Sequence, residues 1–421
     1  MSVQKERRMS VQIQSTRLEN ELATLAGFSP LAAPAVERIV FSKYDMDARA
    51  WFKGLCTTNG LEVREDAVGN TFARWQGGDP RLPAIATGSH CDAIPHSGRY
   101  DGTVGVLGGL EAIRALQESG FQPKRSIELI FFTSEEPTRF GIGCLGSRLM
   151  SGSLNANADE TLRDSEGATL REVRHAAGFT GDLSSTRLAP GHYAGFLELH
   201  IEQGPLLEQR TVPIGLVTAI AAPASLRIAI QGEGGHAGAV LMPARHDAFL
   251  AAAEIALKLE AAARTTGSID SVATTGICEV FPGLVNSVPS RTRLEADIRD
   301  IDGKRRDGMI ASLEKACQSV AKSRGVTVNI EVVNRDDPAT CDPGIVSSAA
   351  AICEARGIAH DRMVSRAYHD SLFMARICPT SMIFIPCRKG YSHRPEEYAS
   401  PEAIATGTLV LAETLAELAG K

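Results

Sequence analysis

The sequence predicts an α/β chain with two domains: a larger domain with a mostly parallel sheet flanked by helices, and a smaller inserted α+β domain. The chain has 421 residues, which is more than a single hydrophobic core usually organises. In the first half, strand-like apolar runs alternate with helix-like stretches, as in parallel sheets covered by helices. Near residue 220 this alternation is replaced by a strand-helix-strand-strand-helix order. The predicted larger domain therefore combines 1–219 with 333–421, and the smaller one is 220–332.

Short apolar runs predict the strands of the larger domain. Residues 82–87, 126–133 and 196–201 are mainly apolar and are followed by polar or glycine-containing turns. Residues 104–116 and 401–418 have apolar positions at helical spacing. In such sheets ligands bind at the carboxyl ends of the strands. Polar residues that follow these runs are therefore candidates for chemistry.

Alternating polar and apolar residues predict the smaller domain. Residues 226–231, 271–279 and 292–298 alternate as half-buried strands do, whereas 248–263 and 307–323 are helix-like. This mixture suits a small α+β domain.

The composition argues against several classes of protein. Lys and Arg number 44 against 50 Asp and Glu, for a net charge of -6, and the one basic run that stands out is Lys5–Arg8. Nucleic acid and membrane are therefore not expected as partners. No apolar run reaches the roughly 18 residues of a membrane span, and residues 1–17 lack the apolar centre of a signal peptide. Nine cysteines without a Cys-x-x-Cys pair indicate a reducing cytoplasm.

The first candidate cluster is a His-x-Asp sequence followed by a glycine-flanked acid. On an extended backbone His90 and Asp92 share a face, so His90 could bind a metal ion while Asp92 fixes its ring. Asp101 lies in a turn from which its carboxylate could point into a cleft. The alternative is a loop histidine beside a surface acid.

The second cluster is a pair of adjacent acids, Glu135 and Glu136, directly after an apolar strand. Two adjacent acids are difficult to bury after an apolar strand. The structural alternative is a solvated loop in which one carboxylate lies at a helix N-terminus. In the functional interpretation one Glu binds metal and the other accepts a proton from the attacking water.

Two histidines complete the set. His200 alternates in phase with Glu198 and Glu202 at a strand end, and His393 lies in an irregular polar loop. Taken singly, these could be an edge strand and a loop histidine. Taken with the earlier clusters, they give a mixed nitrogen and oxygen set that suits Zn²⁺ or Mn²⁺. Two such ions about 3.5–4 Å apart need a bridging carboxylate.

Six motifs resemble the M20-type metallopeptidase and amidohydrolase family, in its hydantoinase/carbamoylase branch of allantoate, N-carbamoyl-L-amino acid, β-ureidopropionate and ureidoglycolate hydrolases. The resemblance runs from about Arg17 to Leu418. SRAYHDSLFMARI and IFIPCRKGYSHRPEEY resemble ureidoglycolate amidohydrolases most. The six motifs are GSHCDAIPHSGRYDG, FTSEEPTRFG, LELHIEQGP, GGHAGAVLMP, VNSVPS and GYSHRPEEY.

The resemblance implies a role for each member of the ordered set. His90 and His200 would bind one metal ion, Glu136 and His393 the other, and Asp101 would bridge them. The implied cofactor is two divalent ions per subunit, Mn²⁺ first, with Zn²⁺ or Co²⁺ as alternatives.

The resemblance also implies the remaining roles in the larger domain. Glu135 would be the general base, and Asp92 would orient His90. Gln203, Tyr368 and His369 would line the substrate pocket. Tyr368 could instead be an ordinary core aromatic.

In the family the smaller domain is a lid and dimer interface, where His236 would complete the partner subunit's site beside Asn286 and Arg299. Each has a structural alternative: a turn histidine, a turn cap and a surface ion pair of little stabilising value. Cys91 departs from the family pattern. A thiol between His90 and Asp92 could bind metal, but strand alternation turns it away from the face that carries His90.

The resemblance implies hydrolysis of the small molecule ureidoglycolate to glyoxylate, ammonia and carbon dioxide in purine catabolism. Allantoate or an N-carbamoyl-L-amino acid is the alternative substrate. An aminopeptidase fits the motifs less well. A non-catalytic, metal-stabilised dimeric binding protein is disfavoured by the intact Glu135–Glu136 pair. The chain lacks the targeting extension expected of plant ureidoglycolate enzymes, so a cytoplasmic homodimer is expected.

Overall fold

The computed structural model describes residues 10–421, so the basic run Lys5–Arg8 lies outside the described residues. The chain forms two compact units. The larger contains the described residues up to Thr218, with Cys341–Met363 and His369–Lys421, and the smaller contains Ala219–Thr340 with Val364–Tyr368. The smaller unit extends past the predicted limit of 332, because a strand over Thr327–Arg335 pairs within it.

The strands and helices are numbered in chain order. The strands are β1 (Val36–Arg38), β2 (Glu62–Glu65), β3 (Thr71–Trp75), β4 (Ala84–His90), β5 (Ala93–Ser97), β6 (Ile127–Phe132), β7 (Tyr193–Ile201), β8 (Ile214–Ile220), β9 (Ala222–Gln231), β10 (Gly235–His236), β11 (Val272–Phe281), β12 (Ser287–Val288), β13 (Arg291–Asp300), β14 (Thr327–Arg335), β15 (Ala339–Thr340), β16 (His360–Ser365) and β17 (Thr380–Ile385). The α-helices are α1 (Ser15–Ala26), α2 (Lys43–Thr58), α3 (Thr103–Glu118), α4 (Leu145–Ser151), α5 (Ala158–Thr161), α6 (Leu170–Ala176), α7 (Leu206–Arg210), α8 (Ala248–Thr265), α9 (Gly303–Arg324), α10 (Pro343–Arg356), α11 (Asp370–Met374) and α12 (Pro401–Ala419).

The main sheet of the larger unit runs in the order β8-β17-β7-β4-β6-β3-β2. Its three central pairs, β17-β7, β7-β4 and β4-β6, are parallel. The outer pairs are antiparallel. The α/β class is confirmed, but the sheet is parallel only in its centre rather than mostly parallel. The reason is local: β2 and β3 form a hairpin, and β8 lies antiparallel to β17.

Helix α3 is buried over almost its whole length and packs against β4 and β7. Gly105 permits this approach, because a Cβ there would collide with the carbonyl oxygen of Leu199 on β7. The helix begins directly after Asp101 and Gly102. Tight packing of α3 therefore holds the Asp101 turn over the ends of two central strands.

The smaller unit has a four-stranded antiparallel sheet in the order β11-β13-β9-β14. Helices α8 and α9 pack against it around a core that includes Ile228, Ile255 and Leu313. The predicted elements are all present; β14 and the two-residue strands β10, β12 and β15 were not predicted. Among the described residues, no helix is both long and apolar enough to cross a membrane.

Candidate metal centre

Two buried histidines arrive at the site from the carboxyl ends of parallel strands. His90 is the last residue of β4, and His200 is the penultimate residue of β7. Their rings are stacked with centroids 6.1 Å apart. Each points Nε2 at the same atom, Asp101 Oδ1, at 3.4 Å from His90 and 3.2 Å from His200. The parallel centre of the sheet thus brings together residues 110 positions apart in sequence (200 − 90).

Asp101 reaches this position through a turn that requires glycine. Gly102 has φ +66°, and a Cβ there would lie 2.5 Å from His90 Nε2. The Gly102 N–H also donates to His200 Nε2 at 3.1 Å. A side chain at position 102 would therefore displace the His90 imidazole and strain the backbone whose N–H contacts His200.

The second oxygen of Asp101 faces a different pair. His393 Nε2 lies 3.4 Å from Asp101 Oδ2 and 3.3 Å from Glu136 Oε1. His393 has φ +59°, an uncommon conformation that is concentrated at functional sites. Its side chain is 47% exposed, whereas that of Glu136 is buried. Asp101 thus presents one oxygen to each of two donor groups.

These donors form two groups that could each hold a cation: His90, Asp101 and His200, and Asp101, Glu136 and His393. Three imidazoles and two carboxylates match Zn²⁺ or Mn²⁺, and one shared carboxylate matches a two-ion site. The donor set therefore fits two divalent cations.

The electrostatics of the donors show how strongly they interact without a cation. Burial acts to raise the pKa of Asp101, but hydrogen bonds from His200, His393 and His90 hold it well below its usual range. Burial and the Asp101 charge raise the pKa of Glu136 to about 7. The hydrogen bond to Asp101 raises the pKa of His393 to about 9. Bound cations would replace protons here.

Asp92 holds the loop that carries the two glutamates. Its Oδ1 accepts from the backbone N–H of Glu135 at 3.1 Å, and its Oδ2 accepts from that of Glu136 at 2.9 Å. His90 Nδ1 lies 3.1 Å from the Asp92 carbonyl oxygen and 3.5 Å from Oδ1. The sequence analysis assigned Asp92 only to His90. In the structure it also fixes both glutamates, in a turn where Ser134 has φ +56°.

Glu135 belongs to neither donor group, yet it lies beside one. Its Oε2 is 3.7 Å from His90 Nε2, and its Oε1 accepts from the thiol of Cys144 at 3.5 Å. Burial raises the pKa of Glu135 well above its usual range, although the charge of His90 opposes this. A buried carboxylate beside the cation ligands suits a proton acceptor better than a main ligand.

Residues 86–417 match Peptidase family M20/M25/M40. The chain belongs to this family. As an M20 member it is a hydrolase of amide-type carbon–nitrogen bonds, as the sequence analysis expected.

Its relatives include enzymes that act on ureido compounds. A ureidoglycolate hydrolase of Arabidopsis thaliana is 52% identical over 416 residues, which are 97% of this chain and 87% of that one. An N-carbamoyl-L-amino acid amidohydrolase of Geobacillus stearothermophilus is 36% identical over 408 residues, 97% of this chain and 99% of that one. The crystal structure of AtUAH in complex with glyoxylate has a TM-score of 0.89 at 52% identity, covering 97% of this chain and 99% of that one.

Behind the donors lies a buried polar layer of this M20 chain. The ring of His369 lies 4.5 Å from that of His200. Glu198 accepts from Ser89 Oγ at 2.7 Å and from Ser371 Oγ at 2.5 Å. Glu198, His200 and His369 form a third possible donor group, but the two serines already engage both Glu198 oxygens. His369 thus lies against the candidate ligand His200, and its predicted place in the substrate pocket stays a prediction.

Gln203 and Cys91 were both considered as neighbours of the metal centre, but only the Gln203 side chain hydrogen-bonds to a candidate ligand in the structure. Gln203, with φ +55°, donates from Nε2 to Asp101 Oδ2 at 2.6 Å. The Cys91 thiol is buried and belongs to none of the donor groups among the described residues. Burial raises its pKa to about 12, so the thiol stays protonated.

Cys144, Ser392 and Glu397 also contact the donors or Glu135, and none of the three was predicted from the sequence. Cys144 is nine residues from its partner Glu135 and belongs to no recognisable pattern. Ser392 and Glu397 stand in the quoted GYSHRPEEY motif, which was the available signal, but only His393 received a role.

Four predicted substrate residues lie in the smaller unit as two neighbouring pairs. His236 is exposed on β10 and accepts from the Gly238 N–H at 3.1 Å through Nδ1. The Ala237 N–H donates to the Asn286 carbonyl oxygen at 2.9 Å, which places Asn286 beside it.

The second pair is Arg299 and Tyr368. Arg299 donates to Asp297 Oδ1 at 2.7 Å, and its guanidinium lies 5.7 Å from the Tyr368 ring centroid. The surface ion pair considered for Arg299 is thus present. The substrate roles of these four residues stay predictions.

Proposed function

We propose that this M20 enzyme hydrolyses ureidoglycolate to glyoxylate, ammonia and carbon dioxide, as a step in purine catabolism. The observation that carries the proposal is the 52% identity, across nearly the whole chain, to a plant ureidoglycolate hydrolase. It is supported by the same identity to AtUAH, whose crystal structure contains glyoxylate, the product expected here.

Bound divalent cations would polarise the ureido carbonyl and make the attacking water more acidic. The chain's own residues do the rest. Glu135, aligned by the Asp92 hydrogen bonds to its loop, accepts a proton from the water. The water oxygen bonds to the ureido carbon, the terminal carbon–nitrogen bond breaks, and ammonia leaves with that proton. Loss of carbon dioxide and a second ammonia then leaves glyoxylate.

We assign one cation to His90 and His200, the other to Glu136 and His393, and the bridging position to Asp101. The separate orientation of the two Asp101 oxygens supports this assignment. Mn²⁺ is our first choice because two carboxylates contribute, with Zn²⁺ and Co²⁺ as alternatives.

The homodimer is proposed on a feature of the smaller unit. Large apolar side chains near His236 and Asn286 are strongly exposed: Leu241 by 73%, Leu284 by 63% and Val285 by 102%. Strongly exposed large apolar side chains, where they group together, mark association surfaces. A second copy that covers them would bring His236 into an interface, as the family resemblance implies. Location in the cytoplasm stays a prediction.

A substrate panel tests the proposed function. Ammonia release with added Mn²⁺ is measured for ureidoglycolate, allantoate and several N-carbamoyl-L-amino acids. We expect the highest kcat/KM for ureidoglycolate. A higher value for allantoate or an N-carbamoyl-L-amino acid would favour that alternative activity instead; the 36% identical relative is named for N-carbamoyl-L-amino acids.

A further inference from the structure

Glu397 is a buried carboxylate that the hydrolytic chemistry above does not use. It is 4% exposed and lies in the loop after β17, four residues beyond His393. Its Oε1 accepts from the backbone N–H of Tyr100 at 2.7 Å and from that of Asp101 at 3.1 Å. A Cβ at Gly98 would collide with its side chain, so the Asp101 turn is shaped to receive it.

The other oxygen of Glu397 leads to the Asp101 side chain. Ser392 Oγ lies 3.1 Å from Glu397 Oε2 and 2.6 Å from Asp101 Oδ2. Gln203 Nε2 donates to the same Asp101 oxygen at 2.6 Å. The backbone and the carboxylate of Asp101 are therefore both held by the loop that carries His393.

This arrangement restricts the rotation of a carboxylate that must serve two donor groups. A freely turning carboxylate could give both oxygens to one cation. With Oδ2 held by Ser392 and Gln203, Oδ1 stays directed at His90 and His200, and Oδ2 at His393.

We propose that Glu397, which holds the backbone of the Asp101 turn and lies against Ser392, is a positioning residue that together with Ser392 keeps Asp101 bridging and so secures the second cation, at Glu136 and His393. This inference rests on the proposed two-cation site. It does not depend on which ureido compound is hydrolysed.

Truncation of the Glu397 side chain should therefore weaken binding of the second cation more than binding of the first. In Glu397→Ala the Asp101 turn loses its acceptor and Ser392 loses a partner. Partners behind metal ligands typically change affinity by about 10–100-fold, so we expect the second cation to bind about 10–100-fold more weakly. The first should change little, since His90, His200 and Asp101 Oδ1 remain.

Glu397→Gln is the conservative variant. Its amide oxygen can accept from both backbone N–H groups, and its amide nitrogen can donate to Ser392 Oγ, whose proton then serves Asp101. We expect it to retain second-cation affinity within a few-fold. Ser392→Ala, which removes the direct hydrogen bond to Asp101, should behave like Glu397→Ala. Glu396→Ala is the matched control, since Glu396 lies in the same loop and pairs with Arg394.

The experiment titrates chelator-treated, full-length protein with Co²⁺, using calorimetry and the visible absorption of bound Co²⁺. Wild type and Glu396→Ala should bind two ions per chain. Glu397→Ala and Ser392→Ala should show a weakened second step only, and Glu397→Gln should restore it. If Glu397→Ala does not fold, Ser392→Ala decides the matter.

Three results would overturn the inference: an unchanged second step in the alanine variants, an equal loss of both steps, or a glutamine variant no better than alanine. A wild-type chain that binds fewer than two Co²⁺ ions would remove the two-cation site and the inference with it. Two-ion binding with a different preferred substrate would contradict the proposed function alone.

Discussion

Asp101, Glu135 and Glu136 are buried acids that occupy one site in different roles. Asp101 belongs to both donor groups and Glu136 to one of them, so these two acids fit metal ligands. Glu135 lies 3.7 Å from His90 but stands outside both donor groups. At the residue scale, the division of labour between the adjacent glutamates is therefore the first point to test.

Glu135→Gln should keep metal content and fold while lowering turnover. The amide occupies the same space but cannot accept a proton from water, and general-base catalysis contributes about 10²–10⁴-fold. The measurements are kcat, elemental analysis and thermal unfolding. A variant that loses metal in proportion to activity would show that Glu135 is a ligand rather than the base.

Tyr368→Phe tests substrate choice at a single atom. The ring, and with it the contact to Arg299, is retained, so metal content should not change. If the hydroxyl binds the hydroxyl of ureidoglycolate, its loss should reduce the preference for ureidoglycolate over allantoate, because a polar site discriminates through groups left unpaired with the wrong ligand. The ratio of the two kcat/KM values measures this, and an unchanged ratio argues against the role.

The sequence predicted the candidate metal ligands well, but not the residues that hydrogen-bond to those ligands. His90, Glu136 and His200 lie at or just after the ends of apolar runs. Ligands bind at the carboxyl ends of such strands, so these positions predicted a metal-ligand role. Glu397 contacts Asp101 across 296 positions. No local pattern encodes such a contact, which arises only when the fold brings the two loops together.

At the scale of elements, the turn between β5 and α3 determines whether the centre can form. Its residue Gly102 combines a positive φ with a close approach to His90. The sequence shows the glycine, but only the packed structure shows what a side chain there would meet.

Gly102→Ala should weaken binding of both cations, because its Cβ would displace His90 and strain the turn that carries the shared Asp101, while the rest of the domain stays folded. Gly120→Ala is the matched control: Gly120 also has a positive φ, +79°, but nothing lies within 4 Å of an added Cβ. Gly102→Ala should lose more stability than Gly120→Ala in thermal unfolding, because only its Cβ collides with other atoms, and only folded Gly102→Ala should lose metal. Equal metal content in the two variants would contradict this account of the turn.

Strands β9, β11 and β13 of the smaller domain were predicted from alternating polar and apolar residues, but strand β14 was missed although part of it alternates in the same way. Residues 327–332 of β14 alternate, but the strand is largely exposed and so lacks a clear apolar face; its pairing with β9 completes the sheet. The antiparallel outer strands of the main sheet were also missed as such. Strand direction depends on connections and neighbours, which a single run of residues does not record.

At the scale of the whole molecule, the proposed dimer would cover the exposed apolar residues near His236 and place His236 in an interface, where it could take part in the proposed catalysis. If each site needs His236 of the partner subunit, two differently inactivated chains should complement one another. An imidazole donor could stabilise charge that develops on the substrate oxygen.

Mixing His236→Ala with Glu135→Gln under subunit-exchange conditions should restore part of the activity, because one site of each heterodimer has both an intact Glu135 and an intact His236. Mass spectrometry of intact complexes would show that heterodimers have formed. Heterodimers without activity would exclude the shared site while leaving the metal centre unaffected.

The most direct test of the central claim, a hydrolytic centre of two cations that share Asp101, is reconstitution. Chelator-treated protein is loaded with Mn²⁺ in steps, and ammonia release from ureidoglycolate is followed against the Mn²⁺ bound per chain by elemental analysis. We predict that activity is lost on chelation and returns as the content approaches two ions per chain. Full activity in protein shown to be free of metal would contradict the account.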